Sequence, residues 1–189
     1  MTDEHRPLTD HQIAAIARRI DRPLVLVGLM GVGKSTVGRK LAHLLKSDFV
    51  DADDAIEHAA QMTIADIFAQ FGEEYFRDGE RRVIGRLMEE RHGVIATGGG
   101  AFINPETRAL ILTQGIAVWI DADIATLVER TGRKDTRPLL RNGNPREILT
   151  RLHRERAPFY SQAPIHVTSE NGPHLDTAIK ILEAIDRWL

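Results

Sequence analysis

Gly28-Leu29-Met30-Gly31-Val32-Gly33-Lys34-Ser35 stands directly after the apolar run Leu24 to Val27 and directly before a stretch with helical spacing. It fits GxxxxGK[ST], and a strand before it and a helix after it are the context this pattern requires. Polyphosphate carries closely spaced negative charge, and glycines let successive backbone N–H groups converge on it with no Cβ in the way. The N-terminus of the following helix adds positive dipole charge. In such a cradle Lys34 reaches the β- and γ-phosphates as a compact cation, and the Ser35 hydroxyl binds Mg²⁺. The motif therefore indicates a nucleotide. It does not name an acceptor, because many functions share it.

Outward from this loop, short β-rich runs alternate with helical stretches, the mark of an α/β chain with a mostly parallel sheet. The expected strands are five: Leu24 to Val27, Phe49 to Val50, Val94 to Ala96, Ala117 to Ile120 and Ile165 to Val167. Helix starts are signalled by Asn104 before Pro105, Asp123 before Ile124 and Asn144 before Pro145. Val37, Leu41, Leu44 and Leu45 form a stripe that would lie on the sheet. Thr63 with Asp66 resembles a capping box, opening a helix that Gly72 is expected to close. Residues 1 to 22 form one helical extension, with Ile13, Ile16 and Ile20 on a single face. Residues 132 to 144, GRKDTRPLLRNGN, combine glycine, proline and charge and read as a mobile lid loop. No repeat or linker divides the chain, so residues 1–189 are expected to form one domain.

Composition narrows the partners. The absence of cysteine excludes disulfides, thiolate metal sites and cysteine nucleophiles. Lys+Arg 25 against Asp+Glu 27 removes the electrostatic case for nucleic acid or an anionic membrane. The start MTDEHRPLTD is polar and partly acidic, unlike a secretory signal, and no run approaches a membrane span. A cytoplasmic, monomeric protein acting on small molecules is the expectation. The eight histidines lack metal-ligand spacing.

Three further stretches bear on the acceptor. Asp51-Ala52-Asp53-Asp54 follows the second strand, where an open sheet presents catalytic groups. Alternation along an extended segment would put Asp51 and Asp53 on one side. One acid would serve the metal and the other an acceptor hydroxyl, unless Asp53 or Asp54 simply caps the next helix. Arg77, in Tyr75-Phe76-Arg77-Asp78-Gly79-Glu80, is expected to begin a helix, with Glu80 as its charge partner one turn on. Thr97-Gly98-Gly99-Gly100 ends the third strand, and consecutive glycines are entropically costly unless something approaches the backbone closely.

GLMGVGKST, the DAD after the second strand, FRDGE, ATGGGA, RPLL and ERAPFY stand in an order that resembles the shikimate kinase family over roughly residues 24 to 186. The resemblance implies a three-layer P-loop fold, akin to nucleoside monophosphate kinases, with a five-stranded parallel sheet in order 2-3-1-4-5. It implies transfer of the ATP γ-phosphate to the shikimate 3-hydroxyl. Gly31, Val32, Gly33, Lys34, Ser35 and Thr36 would then cradle ATP, with Ser35 and Asp51 holding Mg²⁺. Asp53 would take the shikimate hydroxyls, as an orienter before a general base. Arg77 and Arg156 would hold the carboxylate, and Gly98, Gly99 and Gly100 would pass close to the ring. Arg137 would be the lid arginine on the transferred phosphate, and Arg130 would stack on adenine. Lys34, Asp53 and Arg137 are the catalytic set so implied. Residues Ser169 to Pro173 carry no alignable motif for adenine, and an NKxD guanine-reading motif is absent, which favours ATP. The rival readings are a gluconate-type sugar-acid kinase and a nucleotide-dependent regulatory module.

If the cradle carries the chemistry, Lys34→Met lowers turnover by orders of magnitude and leaves the fold intact, since the ammonium acts on transition-state charge. Steady-state kinetics together with a melting curve check this. Near-normal turnover in the folded variant would remove the cradle from the mechanism.

Overall fold

A strand that is apolar at every position fits only where both faces of a sheet are covered. Leu24–Val27 (β1) is such a strand, with all four side chains fully buried. In the computed structural model, which describes residues 7–133, 140 and 142–189, β1 is the centre of a five-stranded sheet. Its companions are Phe49–Asp51 (β2), Val94–Ala96 (β3), Ile116–Asp121 (β4) and Ile165–Thr168 (β5). The order is β2-β3-β1-β4-β5, as the resemblance implies, and every pairing is parallel. Val25 pairs with Ile95 on one side and Ala117 on the other. The five apolar runs are the five strands, with ends that differ by one residue at most. Asp51, Asp121 and Thr168 close their strands as polar residues, so a count of apolar positions stops short of them.

The helices are Asp10–Arg19 (α1), Lys34–Leu45 (α2), Ala52–Ala60 (α3), Ile64–Glu89 (α4), Pro105–Gln114 (α5), Ile124–Gly132 (α6), Pro145–Tyr160 (α7) and His174–Trp188 (α8). Asn104, Asp123 and Asn144 cap α5, α6 and α7 through side-chain oxygens, as their positions before Pro105, Ile124 and Pro145 suggest. Among the described residues no helix is long and apolar enough to cross a membrane.

The stretch labelled α4 is two helices joined across a kink. Thr63 caps the first, its hydroxyl oxygen accepting the Asp66 N–H at 3.1 Å, and Gly72 ends this first helix as expected, a second helix following across the kink. Gly72 has φ 84 and ψ 175, and the chain returns at once to helix. That region is essentially open to glycine alone, and a Cβ there would meet nothing, so the requirement is one of backbone and not of space. FRDGE therefore lies about one turn into the second helix, close to its start. Beneath the break, Ile56, Ile67 and Phe76 form a small apolar cluster of their own between α3 and α4, separate from the main core. The part of the chain that carries Arg77 is thus braced by its own packing.

The N-terminal extension packs on α2 and α8. Ile13 and Ile16 are buried, Ile20 is half-buried, and Thr9 with Gln12 forms a reciprocal capping box. Arg19 donates to Asp186 at 2.5 Å. Burial of two isoleucines contributes roughly 3–6 kcal/mol. Deleting residues 1–22 should therefore lower Tm by about 6–24 °C, at about 2–4 °C per kcal/mol for a chain of this size. Because α1 carries no group of the cleft, kcat measured well below the new Tm should stay within about threefold. A large loss of kcat at unchanged Tm would contradict this assignment.

Candidate active site

The chain leaves β1 through a loop held against β4. Gly28 has φ 143, and a Cβ on it would lie 2.3 Å from the Ile120 carbonyl oxygen, so only glycine fits. Gly33, with φ 92, turns the chain into α2. No side chain caps that helix, which leaves its first-turn N–H groups facing the loop. Lys34 is the first residue of α2 and is buried, its Nζ donating to the carbonyls of Gly28 at 2.6 Å and Leu29 at 2.9 Å. The loop itself thus holds the ammonium across its own mouth.

Ser35 and Asp51, separated by a whole helix in sequence, meet here. The Ser35 hydroxyl donates to Asp51 Oδ2 at 2.5 Å. Asp51 Oδ1 accepts the N–H groups of Asp53 at 2.9 Å and Asp54 at 3.4 Å, which makes Asp51 the cap of α3. The alternation argument for Asp51 and Asp53 consequently does not hold, because Asp53 already lies in the first helical turn. A helix starts as soon as Asp51 satisfies its first donors, and no extended segment follows the strand.

The glycine row explains itself in three dimensions. A Cβ on Gly98 would lie 2.9 Å from Asp53 Oδ1, one on Gly99 would lie 3.2 Å from Arg156 Nη1, and one on Gly100 would lie 2.3 Å from Arg77 Nη2. Each glycine of the turn therefore has a charged side chain lying over it. Thr97 ties the turn to the P-loop strand, its hydroxyl donating to the Leu26 carbonyl at 2.8 Å. The site thus has a backbone floor, an anionic wall at Asp53 and a cationic wall at Arg77 and Arg156.

The electrostatics are tense. Burial pushes the Asp53 carboxyl up to about 6, Asp51, Asp54 and Glu57 add to the shift, and Lys34 opposes it. Arg77 Nη1 donates to Glu80 Oε1 at 2.8 Å, but Glu80 is only 1% exposed, so the pair is no solvated surface bridge. Burial raises the Glu80 carboxyl above its ordinary value, Arg77 offsets part of that, and the Asp53 charge adds to it. Arg77 also lies over the Phe76 ring at 5.1 Å.

On the far side of the P-loop, Arg130 of α6 donates to the Val32 carbonyl at 3.2 Å, Ser169 Oγ at 3.2 Å and the Glu170 carbonyl at 2.8 Å. His174 stands against Gly33, and burial followed by the nearby Arg130 and Lys40 charges lowers its pKa. Arg137 lies outside the described residues, as does most of the expected lid. The structure also brings in groups for which the sequence carried no role. Glu80 reads as an ordinary i, i+3 partner until its burial is seen, and Ser169 and Tyr160 show no spacing that marks them.

A model of the shikimate kinase family matches residues 30–186. The chain is 67% identical over 186 residues to the shikimate kinase of Novosphingobium aromaticivorans, covering 96% of each chain. The chain belongs to the shikimate kinase family. The structure of the Acinetobacter baumannii shikimate kinase in complex with shikimate is similar with TM-score 0.82 and 39% identity, over 88% of this chain and 93% of that one. A gluconokinase from Sinorhizobium meliloti, 16% identical with TM-score 0.58, over 89% of this chain and 93% of that one, shares the fold alone.

Asp53 titrates near 3.8 when unfolded and at about 6 when folded, so folding takes up a proton between these values. Its contribution to stability is full below the unfolded value and is lost as pH rises through the folded one. Asp53→Asn, which cannot ionise, should raise Tm by about 2–8 °C near neutral pH, from roughly 1–2 kcal/mol after solvent screening, with little gain near pH 4. In the wild type, kcat/KM should fall about tenfold per pH unit once pH drops below about 6. Thermal melts and initial rates across pH check both. An Asn variant of unchanged Tm would mean that the carboxylate is not desolvated.

Proposed function

We propose that this cleft transfers the γ-phosphate of ATP in line to the 3-hydroxyl of shikimate, giving shikimate 3-phosphate and ADP. The observation that carries the reading is the glycine floor with a carboxylate over one residue and guanidinium groups over the next two. A small acceptor bearing hydroxyls at one end and a carboxylate at the other suits that polarity. Arginine suits a carboxylate better than lysine because its planar fork donates two parallel hydrogen bonds.

Within this reading Gly31 to Thr36 cradle the phosphates, with Lys34 supplying positive charge where negative charge builds up. Ser35 and Asp51 offer a hydroxyl and a carboxylate oxygen, already in contact at 2.5 Å, a hard donor set of the kind Mg²⁺ takes. When bound, Mg²⁺ neutralises charge on the β- and γ-oxygens. Asp53 orients the acceptor hydroxyl, and its raised pKa lets it receive a proton late in a loose transition state. Arg77, propped by buried Glu80, and Arg156 hold the carboxylate. Arg130 presents its guanidinium to adenine from beside the P-loop, and Arg137 reaches the transferred phosphate from the lid, an assignment that rests on the family pattern. Residues 1–189 act as a single kinase domain, as a cytoplasmic monomer.

A coupled ADP-release assay with shikimate, with gluconate and with neither tests the reading. Turnover dependent on shikimate alone is expected, equal turnover with gluconate would favour a sugar-acid kinase, and acceptor-independent turnover would favour a regulatory module. Arg77→Ala should weaken shikimate binding by about 2–5 kcal/mol, because a desolvated charge loses its partner, and ATP binding little. An uncharged shikimate carboxamide should bind the wild type poorly and lose much less on the same substitution. Equal losses for acid and carboxamide would mean that Arg77 does not read the carboxylate.

A further inference from the structure

The turn that forms the acceptor floor has no side chains to hold it, and glycine is the residue with the most conformational freedom to lose. Its outer carbonyls are bonded locally, Gly98 accepting the Ala101 N–H and Gly100 the Ile103 N–H, each at 3.2 Å. The central carbonyl is different. Gly99 accepts the hydroxyl of Tyr160, the last residue of α7, at 2.5 Å. Tyr160 is 1% exposed, and its ring packs on Trp119 of β4 with centroids 5.9 Å apart. Arg156 lies one turn earlier on the same helical face, and its guanidinium both interacts with the Tyr160 oxygen and overhangs Gly99.

We propose that Tyr160 is a positioning residue for the acceptor, clamping the Gly99 carbonyl and the Arg156 guanidinium at a fixed separation through one phenol oxygen. The inference deepens the shikimate reading and rests on it. The hydroxyl donates to the floor residue that the Arg156 guanidinium overhangs, so the clamp sets the distance between the ring site and the cation assigned to the carboxylate. Tyr160 and Arg156 stand on the acceptor side of the floor, although Gly99 itself also lies against Gly28 and Met30 of the P-loop. Loss of the hydroxyl should therefore appear mainly on shikimate, which a general packing role would not produce.

Tyr160→Phe keeps the ring against Trp119 and removes only the hydroxyl. The expected result is a rise of about tenfold in KM and Kd for shikimate, with KM for ATP unchanged within twofold and kcat lowered less than KM is raised. In an Arg156→Ala background the same change should raise the shikimate Kd by less than about twofold, because the group being positioned is gone. A lower Tm with unmoved shikimate constants in an active enzyme overturns the inference, and so does full additivity of the two substitutions. Should Tyr160→Phe fail to fold, a ring-fluorinated tyrosine at position 160 keeps the hydroxyl and loses its proton more readily, and its ionisation is followed by phenolate absorbance. KM for shikimate should rise as the phenolate forms, and a KM that stays level across that observed titration overturns the clamp. A wild-type protein inactive toward shikimate overturns the underlying reading, whereas an active wild type with an indifferent Tyr160→Phe overturns the clamp only.

Discussion

Everything in this molecule that carries chemistry depends on β1 being paired on both edges and covered on both faces. An all-apolar strand of this kind, joined to parallel neighbours, forces each connection to cross over and return, so the carboxyl ends of all strands share one edge of the sheet. The P-loop leaves β1 there, Asp51 closes β2 there, and the glycine row leaves β3 there. Close approach enforces the arrangement, since the Gly28 backbone sits against the Ile120 carbonyl where no side chain fits. The convergence of Ser35 on Asp51 and of Thr97 on Leu26 follows from strand order and needs no further device.

The charges gathered at this edge are not individually comfortable. Asp53 and Glu80 are both raised by burial and the Asp53 charge adds to the Glu80 shift, while Lys34 and Arg77 offset part of the cost. A stable core would not place them so. The arrangement is intelligible as preorganisation, in which groups are desolvated and aimed before the substrates arrive and the penalty is borne by the packing elsewhere. The separate apolar cluster under α3 and α4 braces the acceptor side, and the interruption at Gly72 lets α4 contribute both to that cluster and to the wall holding Arg77.

Much of this was legible from residues alone, for local reasons. The central strands announced themselves because a parallel strand covered on both faces is apolar almost throughout. The caps at Asn104, Asp123 and Asn144 did so because a side-chain oxygen must satisfy the first N–H groups of a helix. The phosphate cradle needs glycine and lysine at set spacing within a single turn, so its chemistry is local too. Where reasoning from sequence failed, a non-local or conformational fact intervened. Asp51 began a helix where an extended segment was expected, and Arg77–Glu80 looked like a surface pair.

The sequence by itself determined the α/β alternation, the phosphate loop and, through its motifs in order, the membership of a kinase family. Only the tertiary structure decided which charge overlies which glycine, that Glu80 is buried beneath Arg77, and that Tyr160 anchors the one floor carbonyl without a local partner. The reason is physical. Spacing along a chain specifies contacts within a turn of helix or a step of strand, whereas burial and the meeting of residues sixty positions apart are properties of packed elements, set only once the sheet has closed around β1.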